Sequence, residues 1–179
     1  MRGGWFHEAT EMQVNCWGQY AHNNQPVHHM LYMFGYSNCP TVGQMYIQKT
    51  LRELYGIHPN GVMGYSGDED NGEMSSWFVL STMGLYALAP GSGKYHVGSP
   101  PLFKDIHIFN DARDKTPRLR ISRDENLPSD KLPNSTDLYY VSQSVEWNNK
   151  RYPIQTAENI PYTINYQELK KGGHLVFVR

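Results

Sequence analysis

Residues 67–82 read Gly-Asp-Glu-Asp-Asn-Gly-Glu-Met-Ser-Ser-Trp-Phe-Val-Leu-Ser-Thr, so an acidic, glycine-bracketed loop runs directly into an apolar segment. The segment from Met74 to Leu88 has hydrophobic residues on nearly every face of a helix, which is typical of a buried helix. The preceding stretch from Gly61 to Gly72 has the glycine-rich, acidic composition of a functional loop. We therefore expect a buried helix whose first turn follows a polar loop.

The acidic loop, defined as residues 67–73, places four carboxylates within six residues, at Asp68, Glu69, Asp70 and Glu73. Like charges held so close raise one another's pKa values. The loop also stands at a helix N-terminus, where the helix dipole favours anions. Ionised carboxylates are what a general base needs, so the loop is a candidate catalytic site. The alternative is a solvated acidic turn.

An EF-hand calcium loop is a competing interpretation, because Asp68-x-Asp70-x-Gly72 matches its first positions. The EF-hand glycine stands at position six, whereas Gly72 stands at position five. Position twelve requires Glu and is occupied by Val79. The pattern therefore excludes an EF-hand.

Two further helices are predicted before this loop. Pro26 to Tyr36 begins with proline at a first helical position, and Thr41 to Tyr55 repeats apolar residues at helical spacing before Gly56. Three strongly apolar helices do not close a bundle unaided. We expect them to be part of a larger α-helical assembly, and the chain to be a fragment of a longer protein.

After residue 90 the pattern changes to short strands separated by turns. Helices followed by strands indicate an α+β fold, with helices in residues 1–90 and a small antiparallel β region in residues 91–179. The predicted strands are Tyr95–Val97, Ile106–Phe109, Leu119–Ile121, Leu138–Val141, Ser144–Trp147, Tyr162–Ile164 and His174–Val178.

Composition excludes several classes of protein. The 16 Lys and Arg residues balance 17 Asp and Glu residues, which gives no basic excess for nucleic-acid binding through bulk charge. No apolar run approaches the roughly 20 residues of a membrane span, and the first residues lack a signal-peptide pattern. Cys16 and Cys39 leave open whether one disulfide forms. Aromatic residues make up 13%, which suits either a carbohydrate surface or an aromatic-rich core.

A second polar cluster, the histidine motif, occupies residues 22–29 and reads His-Asn-Asn-Gln-Pro-Val-His-His. Asn24 and Gln25 precede Pro26 in the cap region of the predicted helix. Amide and backbone carbonyl oxygens at this point are suitable ligands for Ca²⁺. The alternative is a polar cap with two hydrogen-bonded histidines. A zinc site at His28 and His29 is disfavoured, because adjacent helical residues diverge by about 100° and no further ligand motif is present.

At these two clusters the sequence resembles glycoside hydrolase family 92, the calcium-dependent exo-acting α-mannosidases. The similarity covers most of the chain, through the histidine motif and the acidic loop and on into the β region. It runs through residues 18–29, 67–81, 83–86 and 90–100, with shorter matches at 148–150 and 172–175.

The resemblance implies the end of an (α/α)₆ toroid in residues 1–90, followed by trailing β structure. It implies an inverting hydrolase in which Asp68 and Asp70 provide the general base. It further implies substrate contacts from His22, His28, His29 and Glu69. Asn24 and Gln25 would contribute to a Ca²⁺ site, although relatives have Gly-Asn-Glu-Pro where this chain has Asn23-Asn24-Gln25-Pro26. Gln in place of Glu removes a charge from this cluster.

The family's general acid lies well upstream of the histidine motif, and neither Glu8 nor Glu11 sits in the family's acid motif. We therefore expect the acid to be absent from this chain, which would require a missing N-terminal half of the catalytic module. The implied activity is that of an α-1,2-mannosidase acting on N-glycans or mannans, in a secreted, periplasmic, secretory or lysosomal location. The alternative is an inactive carbohydrate-binding or structural remnant of such an enzyme.

Overall fold

The computed structural model describes the chain at residues 20–56, 64, 66–124 and 141–178. Three single turns of 3₁₀ helix, at Gln25–Val27, Phe34–Tyr36 and Pro90–Ser92, accompany the α-helices. The α-helices are α1 (Met30–Met33), α2 (Pro40–Glu53), α3 (Glu73–Thr82) and α4 (Tyr166–Lys171). No helix in these ranges is long and apolar enough to cross a membrane.

Eight strands form two sheets in the described parts of the chain. The smaller sheet has the order β1-β2-β7 and the larger sheet the order β3-β4-β8-β5-β6. The strands are β1 (Leu85–Tyr86), β2 (Lys94–Val97), β3 (Asp105–Ile108), β4 (Leu119–Arg123), β5 (Ser144–Trp147), β6 (Lys150–Pro153), β7 (Thr163–Asn165) and β8 (Gly173–Val178).

The α+β class is confirmed, but the prediction of a purely antiparallel β region is wrong. β4 and β8 run parallel, with Ile121 opposite Leu175, while their other neighbours are antiparallel. A parallel pair needs a long crossover connection, and the chain between β4 and β8 includes β5, β6, β7 and α4. Local patterns reveal each strand but not the direction of a partner so distant in sequence.

The predicted helix from Pro26 to Tyr36 is broken into two 3₁₀ turns around the four-residue α1. The second turn ends where the Ser37 hydroxyl donates to the Phe34 carbonyl, which satisfies a helix-terminal acceptor. The helix predicted from Thr41 to Tyr55 is confirmed as α2 within two residues at either end.

The helix predicted from Met74 to Leu88 ends at Thr82, six residues early. Gly84 has a φ of +80°, and a Cβ there would lie 2.4 Å from the Ser99 carbonyl oxygen, so the turn requires glycine. The chain then enters β1. The expected burial on every face is also wrong, because Met74 and Trp77 are buried whereas Val79 is 55% exposed.

Six of the predicted strands match β2, β3, β4, β5, β7 and β8 within one or two residues. β1, β6 and α4 were not expected, because none of them shows a clear apolar alternation. In the predicted strand from Leu138 to Val141, the first three residues lie outside the described ranges, and Val141 is not in a strand. The turn predicted at Asn148 and Asn149 is confirmed, with φ values of +50° and +67° between β5 and β6.

Two apolar clusters form the core. One joins both sheets, since β2, β4, β5, β7 and β8 all contribute buried residues to it; these include Val97, Ile121, Val145, Ile164, Leu175 and Phe177. The other joins the helices around Leu31, Ile47 and Trp77. Helix α2 contacts both α1 and α3. That these helices belong to an (α/α)₆ toroid, and that a boundary falls at residue 90, stay predictions.

Gln44 couples helix α2 to the β region. Its buried amide accepts from the Ser142 backbone N–H at 2.7 Å and donates to the Ser142 carbonyl at 2.9 Å. The Gln44 amide and the backbone N–H and carbonyl of Ser142 are thus paired at a buried point. The side chain therefore fixes the segment that leads into β5 against the helix.

We predict that Gln44→Met lowers the free energy of unfolding by about 2–4 kcal/mol, because an unpaired buried donor or acceptor costs about 1–3 kcal/mol. Methionine keeps the length of the side chain and leaves both backbone groups of Ser142 unpaired. Urea denaturation measures the change. Gln167→Met, at an exposed site in α4, is the matched control. Equal stability of both variants would contradict the coupling.

Candidate active site

The histidine motif and the acidic loop lie against each other. The Gln25 side-chain amide donates to the Asp68 carbonyl at 3.0 Å. Gly67, with a φ of +72°, packs on Asn23 so closely that a Cβ would lie 2.8 Å from the Asn23 Cβ. The loop can approach the motif only without a side chain at position 67, which accounts for glycine there.

His22 is fully buried beneath this contact, and each of its ring nitrogens faces a tyrosine hydroxyl. The distances are 2.9 Å from Nδ1 to Tyr20 and 2.7 Å from Nε2 to Tyr55. The Tyr55 hydroxyl donates to the Met74 carbonyl, so it accepts from His22 Nε2–H, and Nδ1 accepts from Tyr20. Burial, and secondarily His28, lowers the pKa of His22 to about 3, so the ring is neutral.

His28 is also buried and stacks on His22 with ring centroids 4.5 Å apart. Its Nε2–H donates to the His22 carbonyl at 2.8 Å, and its Nδ1 lies 3.3 Å from Glu73 Oε1. The contact between His28 Nδ1 and Glu73 Oε1 is attractive only when a proton lies between the two atoms. Burial lowers the pKa of His28, whereas both hydrogen-bond partners oppose that shift.

Glu69 closes the first turn of α3. Its carboxylate accepts from the Gly72 and Ser75 backbone N–H groups and from the Ser75 hydroxyl, the last two at 3.1 and 2.5 Å. The Ser75 hydrogen bonds are the main cause that lowers the pKa of Glu69. The side chain therefore stabilises the helix N-terminus that carries the loop.

Asp68 and Asp70 flank Glu69 and are both exposed. Asp70 adopts a φ of +53° and Asn71 a φ of +55°, which turns the chain into α3. The Asp70 carbonyl accepts from the Glu73 N–H at 3.2 Å, so the backbone of the turn is fixed while the two carboxylates face solvent.

The predicted site residues thus fall into three groups by burial. Asp68, Asp70 and His29 are exposed, and Asn24, Gln25 and Glu69 are half-buried, whereas His22 and His28 are buried. A substrate could contact either buried ring only if the hydrogen bonds described above were exchanged. The catalytic, substrate-binding and metal-binding roles stay predictions.

Sequence reasoning missed two residues that organise this site, Tyr55 and Glu73. Glu73 was counted among the loop carboxylates without a partner, and its pairing with His28 spans 45 residues. Tyr55 ends the apolar helix predicted from Thr41, and the pattern does not reveal that its hydroxyl links His22 to Met74. Each residue carries a polar group that must find a partner when buried, but only the fold shows which partner it is.

The described residues include no group of three or more His, Cys, Asp or Glu side chains placed to hold a metal ion. At the histidine motif, Asn24 and Gln25 offer side-chain amide oxygens, and both residues are half-buried. The Gln25 side chain bonds to Asp68 through its amide nitrogen, which leaves that bond independent of the amide oxygen. Oxygen donors suit Ca²⁺, which takes 6–8 of them. The described chain therefore fits calcium as a contributor of ligands rather than as a complete cage.

The model of the glycosyl hydrolase family 92 catalytic domain matches residues 4–178. The comparison with curated proteins finds no match.

Several solved structures are similar to this chain, among them the following three. The family GH92 alpha-mannosidase BT3965 from Bacteroides thetaiotaomicron, in complex with mannoimidazole, is 26% identical with a TM-score of 0.67; the match covers 90% of this chain and 18% of that one. The family GH92 inverting mannosidase BT2199 from Bacteroides thetaiotaomicron VPI-5482 is 31% identical with a TM-score of 0.62, over 99% and 21% of the two chains. The GH92 family glycosyl hydrolase ccman5, 17% identical with a TM-score of 0.64 over 89% and 22%, shows the fold alone. The chain thus spans about a fifth of the length of the structures it matches.

We predict that the protein loses stability as the pH falls below 6.5. The pKa of His22 is about 3 when folded and 6.5 when unfolded, so protons bind the unfolded chain first. The stabilising contribution is complete above pH 6.5 and decreases by up to about 1.4 kcal/mol per pH unit on acidification. Denaturation measured between pH 5 and 7 tests this. His22→Gln should reduce the slope, whereas His29→Gln, at an exposed site, should keep it; equal slopes would contradict the assignment.

Proposed function

The chain belongs to glycosyl hydrolase family 92, and we propose that it supplies the general-base side of an exo-acting, inverting, calcium-dependent α-mannosidase. One observation carries the proposal: the histidine motif and the acidic loop are joined by Gln25 and Asp68, while the Asp68 and Asp70 carboxylates stand exposed. The similar mannosidase structures support the substrate class.

Asp68 and Asp70 would accept the proton of a water molecule that attacks the anomeric carbon. A base must be ionised and reachable, and both carboxylates are exposed beside the N-terminus of α3, where the helix dipole favours negative charge. Glu69 would act as a positioning residue, because its carboxylate is engaged with the helix N-terminus.

The general acid would come from outside the described residues. Inverting glycosidases hold their two carboxyl groups about 6.5–9.5 Å apart, so that water fits between base and sugar. Residues that complete such a pair would belong to the portion of a mannosidase that this chain does not span, since the match covers about a fifth of each similar structure.

Asn24 and Gln25 would contribute amide oxygens to a calcium ion. When bound, calcium would hold the 2- and 3-hydroxyls of the sugar and favour distortion of its ring. Gln25 also donates to the Asp68 backbone carbonyl, so the same side chain would connect the proposed metal ligands to the proposed general base.

The proposed substrate is a terminal α-1,2-linked mannose of an N-glycan or a mannan. Such substrates are extracellular or lie in secretory compartments, so the proposed location is secreted, periplasmic, secretory or lysosomal. The alternative is an inactive carbohydrate-binding or structural remnant, in which the acidic loop serves only to cap α3.

We predict that Asp70→Asn lowers kcat on an α-mannoside by about 10²–10⁴-fold in the full-length protein, because removal of a general base has this effect. KM should change far less, since asparagine keeps the size and a hydrogen-bonding oxygen. Asp68→Asn should act in the same direction, with non-additive effects in the double variant. Asp114→Asn, in an exposed turn, is the control. A near-parent kcat for Asp70→Asn would favour the structural alternative.

We also predict that chelation of divalent cations abolishes α-mannoside hydrolysis by the full-length protein, and that Ca²⁺ restores it better than Mg²⁺. Ca²⁺ accepts flexible oxygen cages that Mg²⁺, with its demand for octahedral geometry, does not. Steady-state rates before and after chelation give the result. Unchanged rates in the chelated protein would exclude the proposed calcium requirement.

A further inference from the structure

A further polar cluster lies on the exposed face of the larger sheet, and it shares no residue with the histidine motif or the acidic loop. On β3, Ile106 and Ile108 pack against the core, while Asp105 and His107 alternate with them on the opposite face. The strand register sets Ser122 of β4 opposite Asp105, and His174 of β8 opposite Arg120. Three neighbouring strands therefore contribute polar side chains to one surface.

These side chains are held by one another. The Arg120 guanidinium donates two parallel hydrogen bonds to the Asp105 carboxylate, at 2.9 and 2.8 Å. His107 Nε2 lies 3.2 Å from the same carboxylate, and Ser122 Oγ lies 2.8 Å from His174 Nε2. Arg120 is the main cause that holds the pKa of Asp105 low, and burial lowers the pKa of His174. The array is thus fixed before any ligand arrives.

A cleft of about 270 Å³ opens beside the array. This volume lies just under the range of about 300–1,000 Å³ that is usual for pockets of drug-sized ligands, so it suits a single small ring. The polar residues that line it are Lys104, Asp105, Arg120, Ser122, Arg123 and Asp124.

The mixture of charges selects the class of ligand. Three cationic side chains oppose a bound cation; for a simple anion, the charge of Arg120 is already paired with Asp105, and Asp124 adds a repelling carboxylate. A neutral polyol meets no such penalty, because each hydroxyl group both donates and accepts hydrogen bonds. The guanidinium, carboxylate and hydroxyl groups of the lining residues offer both kinds of partner.

An aromatic ring lies further along the same face, beyond His107 and outside the lining of the cleft. Phe109 follows β3, is 43% exposed, and meets His107 edge-on with ring centroids 6.3 Å apart. A sugar ring has an apolar C–H face as well as its hydroxyl rim, and an exposed aromatic ring beside hydrogen-bonding groups suits both. Phe109 does not line the cleft, so it would contact a further ring of a sugar chain that extends from the cleft past His107, which favours a glycan over a small acyclic polyol.

We propose that this cleft is a second carbohydrate-binding site, which holds one sugar ring of a glycan outside the catalytic loops. The inference rests on the proposed function for the identity of the glycan as an α-mannoside. A glycan that is held at the cleft keeps its other end near the catalytic loops at a raised effective concentration. Hydrolysis of long mannans, but not of a small mannoside, would then depend on the cleft.

The test uses the full-length protein with Asp70→Asn, so that substrate binds without turnover. Calorimetry with methyl α-mannoside should give two sites per chain, and addition of Arg120→Ala should leave one. Arg113→Ala is the matched control, because Arg113 makes the same two-bond pair with Asp111 in an exposed loop. It should keep two sites. His174→Gln provides a second variant if Arg120→Ala unfolds.

A stoichiometry that neither Arg120→Ala nor His174→Gln changes, or that Arg113→Ala lowers equally, would overturn the proposal. Binding of inorganic phosphate at the cleft in place of the mannoside would overturn it as well. The parent with Arg120→Ala should lose at least about tenfold in kcat/KM on a mannan, and nothing on the small mannoside. If Asp70→Asn retains turnover while the cleft still binds the mannoside, the proposed function is wrong. The cleft would then still be a carbohydrate-binding site, in a protein that binds glycans in another role.

Discussion

The N-terminus of α3 is the constraint around which the candidate site is arranged. The first backbone N–H groups of a helix have no partner within the helix. Here Glu69 reaches Gly72 and Ser75 from the preceding loop, and the Glu69 carbonyl accepts from the Met74 N–H. Once Glu69 is turned inward to the helix, its two neighbours are directed elsewhere. The exposure of Asp68 and Asp70 follows from the capping of α3.

A buried polar layer supports this arrangement from below. The chain of hydrogen bonds from Tyr20 through His22 and Tyr55 to the Met74 carbonyl ends inside the first turn of α3. Trp77, one turn further along, donates to the His28 carbonyl at 3.2 Å. A network of this kind is stabilising only when every member is satisfied, because unpaired buried groups are costly. The histidine motif therefore fixes the position of α3 as well as its loop.

The sequence predicts local features well and distant pairings poorly. The apolar periodicity of α2 and the six matched strands depend on neighbours within a few residues. Other contacts join residues between 45 and 98 positions apart, which no local pattern reveals. They are the parallel pairing of β4 with β8, the Gln44–Ser142 bonds and the His28–Glu73 contact. The end of α3 was missed for a related reason. Gly84 turns the chain because the Ser99 carbonyl lies close by, which the apolar run does not reveal.

The abundance of aromatic residues illustrates how a composition can have two explanations at once. Most of the aromatic rings near the candidate site lie beneath it: Tyr32 stacks on Tyr86 at 4.3 Å, and Tyr55 lies parallel to Trp77 at 5.9 Å. The hydroxyls of Tyr32 and Tyr55 and the indole of Trp77 bond to protein atoms, so these residues build a rigid base rather than a sugar platform. Phe109 differs because it has no polar atom and stands exposed at a polar array. Because its ring is apolar and 43% exposed, Phe109 offers a contact face to a ligand, whereas the rings beneath the candidate site are engaged with the protein.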